Sequence, residues 1–397
     1  KNLDLGSLQE MWIRKRLDLG WSDLHHAMWY CGLPCAHAEQ SVADSWSPNS
    51  NSLVCLSVRT GFDLLFQALN LPAGSEVLVS ALTIDGMLRV IEEHDLVAVP
   101  VDLDPETMAP TVDTISKAVS EKSRVLVVAH LFGAHVDLSV IQELAQDREL
   151  LLVEDCAQAF EGTPKQEGNR SDVVMYSFGP IKTATALGGA ILDINDDELL
   201  HKMKQIEQSY PTQSRWFFMR RVMKYAMLKS ISYKLPFSTL VSVLKVLGKD
   251  YDKWIKGAVR GFKGKKLFRQ LRQRPSRPLL SLLNHRIQKF DQHHMEPQRD
   301  KGDWLCSQIN SDNYIPGTDS LSHNYWTFPV VVPDPETAIK KLRKHGFDAG
   351  QRGSMVVVPT PEDRPELNPT HAEQLINKIV FIPLYPALPK SALQKMA

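Results

Sequence analysis

No stretch of this chain approaches the roughly 18 consecutive apolar residues that a spanning helix requires, which argues against a helical membrane protein. Cysteine is scarce: Cys31, Cys35, Cys55, Cys156 and Cys306 are the only five among 397 residues. So sparse and odd a set speaks against a disulfide framework and for reduced cytosolic thiols. Net charge is also missing, since 46 basic residues balance 46 acidic ones. No global field therefore points to nucleic acid. The N-terminal stretch lacks the apolar core of a signal peptide, and no repeat or low-complexity tract interrupts the chain. The expectation is a soluble, cytoplasmic, globular protein with at least one large core.

The zero balance hides an asymmetry. Residues 211–277 hold 18 lysines and arginines against Asp250 and Asp252 alone, a local charge of +16. Trp216, Phe217, Phe218, Met219 and Met223 are interleaved with Arg220, Arg221 and Lys224. Three readings stay open for this segment. It can be a solvated, dimer-forming helical insertion, a surface for anionic membrane, or a contact for a polyanionic substrate such as a nucleotide diphosphate.

From Leu53 the sequence alternates short apolar runs with helical stretches. Strands are expected at 76–80, 97–101, 124–130, 150–154, 172–176 and 189–193, with helices at 61–69, 84–93, 112–119 and 138–147. Near-continuous apolar strands alternating with helices indicate an α/β fold, a mainly parallel sheet covered on both faces. Residues 216–247 read as helical with a break at Pro236, and 284–324 reads as irregular. The last stretch suggests a smaller C-terminal α+β domain, with strands at 325–332 and 379–382. The expected division is an N-terminal segment 1–52, a large domain 53–210, a basic helical insertion 211–290 and a small domain 291–397.

Ligands of parallel sheets sit beyond the carboxyl ends of strands. Three such ends carry chemistry. Val153-Glu154-Asp155-Cys156-Ala157-Gln158 is an apolar strand closing on a carboxylate. Tyr176-Ser177-Phe178-Gly179-Pro180-Ile181-Lys182 runs from a strand into a turn with a hydroxyl and a lysine. Arg59-Thr60-Gly61 opens a helix. Pyridoxal 5'-phosphate needs a lysine of lowered pKa to form a Schiff base and move the α-proton. It needs a carboxylate to keep its pyridine nitrogen protonated, and hydroxyls with helix N-terminal N–H groups for its phosphate. Lys182, Asp155, and Ser177 with Thr60 and Gly61 meet these needs in turn. Thr60 as a mere helix cap and Gln158 as a helix-start hydrogen bond are the competing readings. Cys31, Cys35 and His37 invite a metal reading, but the spacing is a poor match to structural zinc, and no metal is expected.

The stretch 53–210 resembles the DegT-type sugar aminotransferases, a branch of the fold-type-I pyridoxal-phosphate enzymes. The matching motifs are Arg59-Thr60-Gly61-Phe62, Gly74-Ser75-Glu76-Val77-Leu78-Val79-Ser80 and Val101-Asp102-Leu103-Asp104-Pro105. To these add His130-Leu131-Phe132-Gly133, Glu154-Asp155-Cys156-Ala157-Gln158-Ala159, Ser177-Phe178 up to Lys182, Gly188-Gly189-Ala190, and Ile382-Pro383-Leu384-Tyr385-Pro386-Ala387-Leu388. The resemblance implies Lys182 as Schiff-base lysine and Asp155 as pyridinium partner. It places Gln158 near the ring hydroxyl and Ser177, Thr60 and Gly61 around the phosphate. Ile84 stands where the family has Phe or Trp on the ring face. The family's Arg-Asn-His-Gly is replaced by Glu207-Gln208-Ser209-Tyr210, and its cross-subunit Asn motif and sugar-site His-Tyr-x-Pro have no clear counterpart.

The implied activity is transfer of an amino group from a small-molecule donor, by resemblance glutamate, to a keto acceptor, in the family a keto-sugar nucleotide. A homodimer is implied as well, since fold-type-I sites are completed by a second subunit. Another pyridoxal reaction, elimination or carbon–carbon bond formation, is the first alternative. A cofactor-bound regulatory protein without catalysis is the second.

Overall fold

The structure, a computed structural model, describes residues 10–33, 38–46, 51–162, 171–259, 266–309, 312–351 and 353–397. The N-terminal part carries α1 (Trp21–Gly32) and α2 (Ala38–Trp46). Then come β1 (Ser52–Cys55), α3 (Val58–Leu69), β2 (Glu76–Ser80), β3 (Leu82–Ile84), α4 (Asp85–Glu93) and β4 (Val97–Val101). Next are α5 (Val112–Ala118), β5 (Ser123–Ala129), β6 (Ala134–His135), α6 (Ser139–Asp147), β7 (Leu151–Asp155), β8 (Val173–Ser177) and β9 (Ala190–Ile194). A helical stretch holds α7 (Asp197–Gln208), α8 (Arg215–Ile231), α9 (Lys234–Val246), α10 (Tyr251–Val259), α11 (Leu267–Leu271), α12 (Arg277–Gln288) and α13 (Glu296–Cys306). The chain closes with β10 (Ser322–His323), β11 (Phe328–Val331), α14 (Pro335–Lys344), β12 (Met355–Val357), α15 (Thr370–Lys378), β13 (Ile379–Ile382) and α16 (Lys390–Met396).

Seven strands form one sheet in the order β1-β9-β8-β7-β5-β2-β4. All run the same way except β9, which is antiparallel to both its neighbours. Strand side chains alternate between faces, and this chain fills both with aliphatics. Val77, Val79, Val125 and Val127 join the core beneath α3, α4 and α7, while Leu78, Leu126 and Val128 join the opposite core with Ile115 of α5 and Ile141 of α6. That two-sided burial is why the runs lack polar alternation. A glycine sets one spacing: a Cβ on Gly61 would stand 2.8 Å from Leu192, so α3 lies on β9 at a distance no larger residue permits.

Four expectations need correction. The parallel strands exist, but three of them and β9 begin one residue from where the apolar runs suggested, β7 and β8 taking in the polar residues Asp155 and Ser177 at their ends. The N-terminal stretch is not loosely patterned: α1 and α2 pack with α8 and α12 over Val54 and Ile191, and β1 pairs with β9. The break expected at Pro236 falls a few residues earlier, at Ser232–Tyr233 between α8 and α9, and Pro236 itself sits in the first turn of α9, where a missing N–H costs nothing. Residues 284–324 are not irregular, since α12 runs to Gln288 and α13 starts at Glu296 with Pro297 in its first turn.

Candidate active site

β7 delivers Asp155 between Ala129 of β5 and Met175 of β8. β8 ends at Ser177, opposite Ala190 where the reversed β9 begins. The chain then turns sharply, and the Lys182 N–H donates to the Gly179 carbonyl at 3.0 Å. Phe178 anchors this loop: its N–H donates to Gly189, and its carbonyl accepts from Ala186 and Gly188. The Thr185 hydroxyl donates to the Gly179 carbonyl at 2.7 Å. Ala184 and Leu187 hold left-handed φ angles of 50° and 63°, a strain that the surrounding hydrogen bonds enforce. One of those bonds runs from the Ala184 N–H to Asp18 at 2.6 Å.

The Lys182 ammonium lies over the indole of Trp326, 4.0 Å from the ring centroid. Trp326 is fixed in turn, donating its ring N–H to the Ile181 carbonyl at 2.9 Å. A second amine shares the indole. Lys15 stands 5.4 Å from the same centroid and donates to the Trp326 carbonyl oxygen. It is carried by a strap, residues 11–18, tied down along its length. The Met11 N–H donates to Ser238 Oγ at 2.8 Å, Trp12 bonds Gly346, and the Arg14 N–H donates to Asp348 at 3.1 Å.

Desolvation decides the charge state here. Burial pulls the Lys182 amine from its usual range to about 7; Asp155 opposes this, and the cations Lys15 and Arg59 reinforce it. Burial likewise brings Lys15 down to about 8, with Asp18 opposing. Asp155 moves the other way: burial raises its carboxyl, against the Ala157 N–H, Lys182 and His130. Its Oδ1 accepts from that Ala157 N–H at 2.9 Å.

His130 is nearly fully buried, with both ring nitrogens committed. Nδ1 accepts from the Val136 N–H at 2.9 Å, and Nε2 then carries the proton donated to Glu154 at 2.8 Å, an assignment made from the bonding. The Cys156 thiol also donates to Glu154, at 3.3 Å. His130, Glu154 and Cys156 make up the one grouping of metal-ligand type among the described residues. Because the histidine has no nitrogen to spare, it is a hydrogen-bond network instead. Of the other metal reading, Cys31 is buried in the α1 core, and Cys35 and His37 lie outside the described residues.

The remaining expected residues divide. Gln158 accepts the Phe132 N–H on Oε1 at 2.9 Å, holding the Phe132-Gly133 turn after β5 and no helix start. Thr60 is fully buried; its hydroxyl donates to the Leu271 carbonyl at 3.0 Å, and its N–H is capped by Ser57. Thr60 thus ties α11 to the first turn of α3, and Gly61 lets α3 lie close against β9. Ile84 ends β3 opposite Met355 and precedes the first turn of α4. Arg59 takes the position next to all of these. Its side chain runs from the first turn of α3 to that of α4, since a Cβ on Gly86 would come within 3.0 Å of its Cδ. Burial lowers its guanidinium to about 10, and Lys182 feels its charge.

Sequence reasoning missed Lys15 and Trp326 and gave Arg59 no role of its own. Arg59 had a signal, a long cation where the resembling family carries a small residue. Lys15 and Trp326 had none, because each reaches the site through tertiary packing.

Comparison with known proteins places this geometry in context. The model of the DegT/DnrJ/EryC1/StrS aminotransferase family matches residues 26–227. GDP-perosamine synthase of Escherichia coli O157:H7 is 32% identical over 164 residues, 41% of this chain and 43% of that protein. The chain therefore spans less than half the length of the curated relative it matches. The aminotransferase TlmJ of Streptoalloteichus hindustanus superposes with a TM-score of 0.68 at 17% identity, covering 97% of this chain and 95% of that one. The sugar aminotransferase CalS13 of Micromonospora echinospora gives 0.65 at 17% identity, over 96% of each.

Proposed function

The chain belongs to the DegT/DnrJ/EryC1/StrS aminotransferase family, and on that premise we propose that it is a pyridoxal-phosphate-dependent aminotransferase. The amino donor is an amino acid, glutamate in our reading, and the acceptor a keto-sugar nucleotide. The observation that carries the proposal is Lys182: a desolvated amine on Trp326, held near neutrality in the field of Asp155. An amine half-deprotonated near pH 7 serves both as a nucleophile and as a proton carrier, which an exposed lysine does not.

The residues present fit the cofactor. Lys182 would tether it, and Asp155, a carboxylate at a strand end, would face its ring nitrogen. Arg59, Ser177 and the first turns of α3, with Thr60 and Gly61, and of α4 would hold its phosphate. When bound, pyridoxal phosphate supplies an electron-withdrawing ring that makes the α-proton of an attached amino acid removable. Lys182 then moves that proton from one carbon to the other, and the loop bonds at Phe178 and Thr185 keep its turn in place. Trp326 covers the amine and excludes water from it. The Asp155 carboxylate keeps the ring nitrogen protonated, a role that its strand-end position and the Ala157 N–H support.

We further propose a homodimer, the arrangement the family resemblance implies and the commonest closed symmetry. The deciding experiment incubates the purified protein with pyridoxal phosphate and single amino acids, then with a panel of keto-sugar nucleotides. Amino-sugar formation that Lys182→Ala abolishes supports the reading. Absence of product from every donor and acceptor, with cofactor bound, defeats it.

A further inference from the structure

α8 carries apolar side chains on two opposite sides. Phe218, Val222 and Tyr225 are buried against the α1–α12 core. Trp216, Met223 and Met227 lie on the other side, 67%, 56% and 53% exposed, with Arg220 among them at the spacing of one helical face. A helix apolar all round is normally buried all round. α9, which packs beside α8, repeats the pattern: Phe237 and Leu244 point inward, while Leu235, Val243 and Val246 are 64%, 50% and 69% exposed. Trp21 of α1 lies at the α8–α9 junction, where its ring N–H donates to the Tyr233 hydroxyl at 3.1 Å and Lys229 stands over its ring. Two consecutive helices thus carry exposed apolar side chains away from the core.

Charge says what covers them. Residues 211–277 carry 18 basic side chains and two acidic ones; Lys234, Arg272 and Arg274 are paired with Glu10, Asp63 and Glu207 from outside the segment, and Asp252 with Arg14. Arg215, Arg220, Lys245, Lys249 and Lys253 are exposed on α8, α9, the α9–α10 connection and α10. A second copy meeting this face with its own would bring like charges together, which costs association energy. Nucleic acid supplies the anions but has no use for the aliphatic stripe of α9. An anionic lipid leaflet supplies both, phosphates for the cations and acyl chains for Trp216, Met223 and Leu235. No helix among the described residues is long and apolar enough to cross a membrane, so any such contact lies in the interface.

We propose that the α8–α9 face docks on the surface of an anionic lipid bilayer, with Trp216 and Leu235 entering the headgroup layer. Docking does not depend on the chemistry assigned to Lys182.

The test uses the full chain with its cofactor and vesicles of phosphatidylcholine, with or without 30% phosphatidylserine, at about 50 and 500 mM salt. Sedimentation should show binding to the acidic vesicles alone, and it should fall steeply at the higher salt. Each neutralised cation should lower the partition coefficient about fivefold. The triple variant Arg220→Gln, Lys245→Gln, Lys249→Gln should therefore bind about a hundredfold more weakly while keeping its circular dichroism spectrum. Trp216→Ser with Leu235→Ser should weaken binding at low salt without changing the salt dependence. Failure to bind acidic vesicles at low salt overturns the proposal. So does undiminished binding in the Trp216→Ser, Leu235→Ser variant, which would leave only non-specific charge attraction. A change in dimer dissociation in that variant, with no vesicle binding by the parent, assigns the face to a second copy instead.

Discussion

A lysine kept near neutrality inside a protein costs folding energy, and that cost should be measurable at Lys182. Its amine titrates at about 7 in the fold and near 10.5 in an unfolded chain, a difference of about 3.5 pH units. Each unit is worth about 1.4 kcal/mol, and part of the side chain meets solvent, so the penalty at pH 7 is on the order of 2–4 kcal/mol. Below pH 7 both states are protonated and the whole penalty stands. Between about 7 and 10.5 the unfolded chain binds more protons than the folded one, so stability rises with pH and the penalty fades. Lys182→Met keeps the volume over Trp326 and removes the charge. It also relieves Lys15, whose amine has the same indole beneath it. Urea unfolding of the protein freed of cofactor, at pH 6.5, 7.5 and 9, should show the variant more stable than its parent. The gap should be widest at the lowest pH and smallest at pH 9. A variant less stable than the parent, or a gap that does not change with pH, would refute the desolvated-amine account of this site.

Three further outcomes follow from the same geometry. Arg59→Met should weaken pyridoxal-phosphate binding about 10- to 100-fold, the worth of a charged hydrogen bond, and leave pyridoxal binding unchanged; Arg59→Lys should recover part of the loss. Equal losses for both ligands, read by equilibrium dialysis, would remove Arg59 from the phosphate. Asp155→Asn should slow amino transfer by several orders of magnitude in single-turnover kinetics while the cofactor stays bound, and a near-normal rate would put another residue at the ring nitrogen. Gly61→Ala should lower stability by about 1–3 kcal/mol in denaturant titration, because its Cβ would stand 2.8 Å from Leu192; an unchanged midpoint would mean α3 can shift.

The central sheet was legible because its strands are buried on both faces and so read as unbroken aliphatic runs. Val77 to Val79 and Val125 to Val128 feed two cores at once, and nothing polar interrupts them. The site residues on strand ends were legible for a related reason. Asp155, directly after Glu154, and Ser177 are polar side chains that close such runs, and polar residues there stand out. Thr60 is ambiguous in sequence because capping a helix and binding a phosphate call for the same residue type at the same place, and its hydroxyl also reaches the Leu271 carbonyl. α1 and α2 were obscure for the opposite reason, since helices packed mainly on other helices show no clean amphipathic period.

Lys15 shows most clearly what a linear reading cannot reach. It sits between Arg14 and Arg16, and by sequence alone the three are one short basic run. The fold gives each a different partner: Asp348 and Asp252 hold Arg14, the Tyr233 and Tyr385 rings lie under Arg16, and Trp326 receives Lys15. A charge run on a strap has no periodicity to tell which member faces inward. What selects Lys15 is the register fixed at either end, by Trp12 on Gly346 and by Asp18 on Ala184. The Ala184 contact belongs to the very loop that carries Lys182. The same hydrogen bond therefore holds a strained turn and places a second cation where it helps keep the Lys182 amine deprotonated.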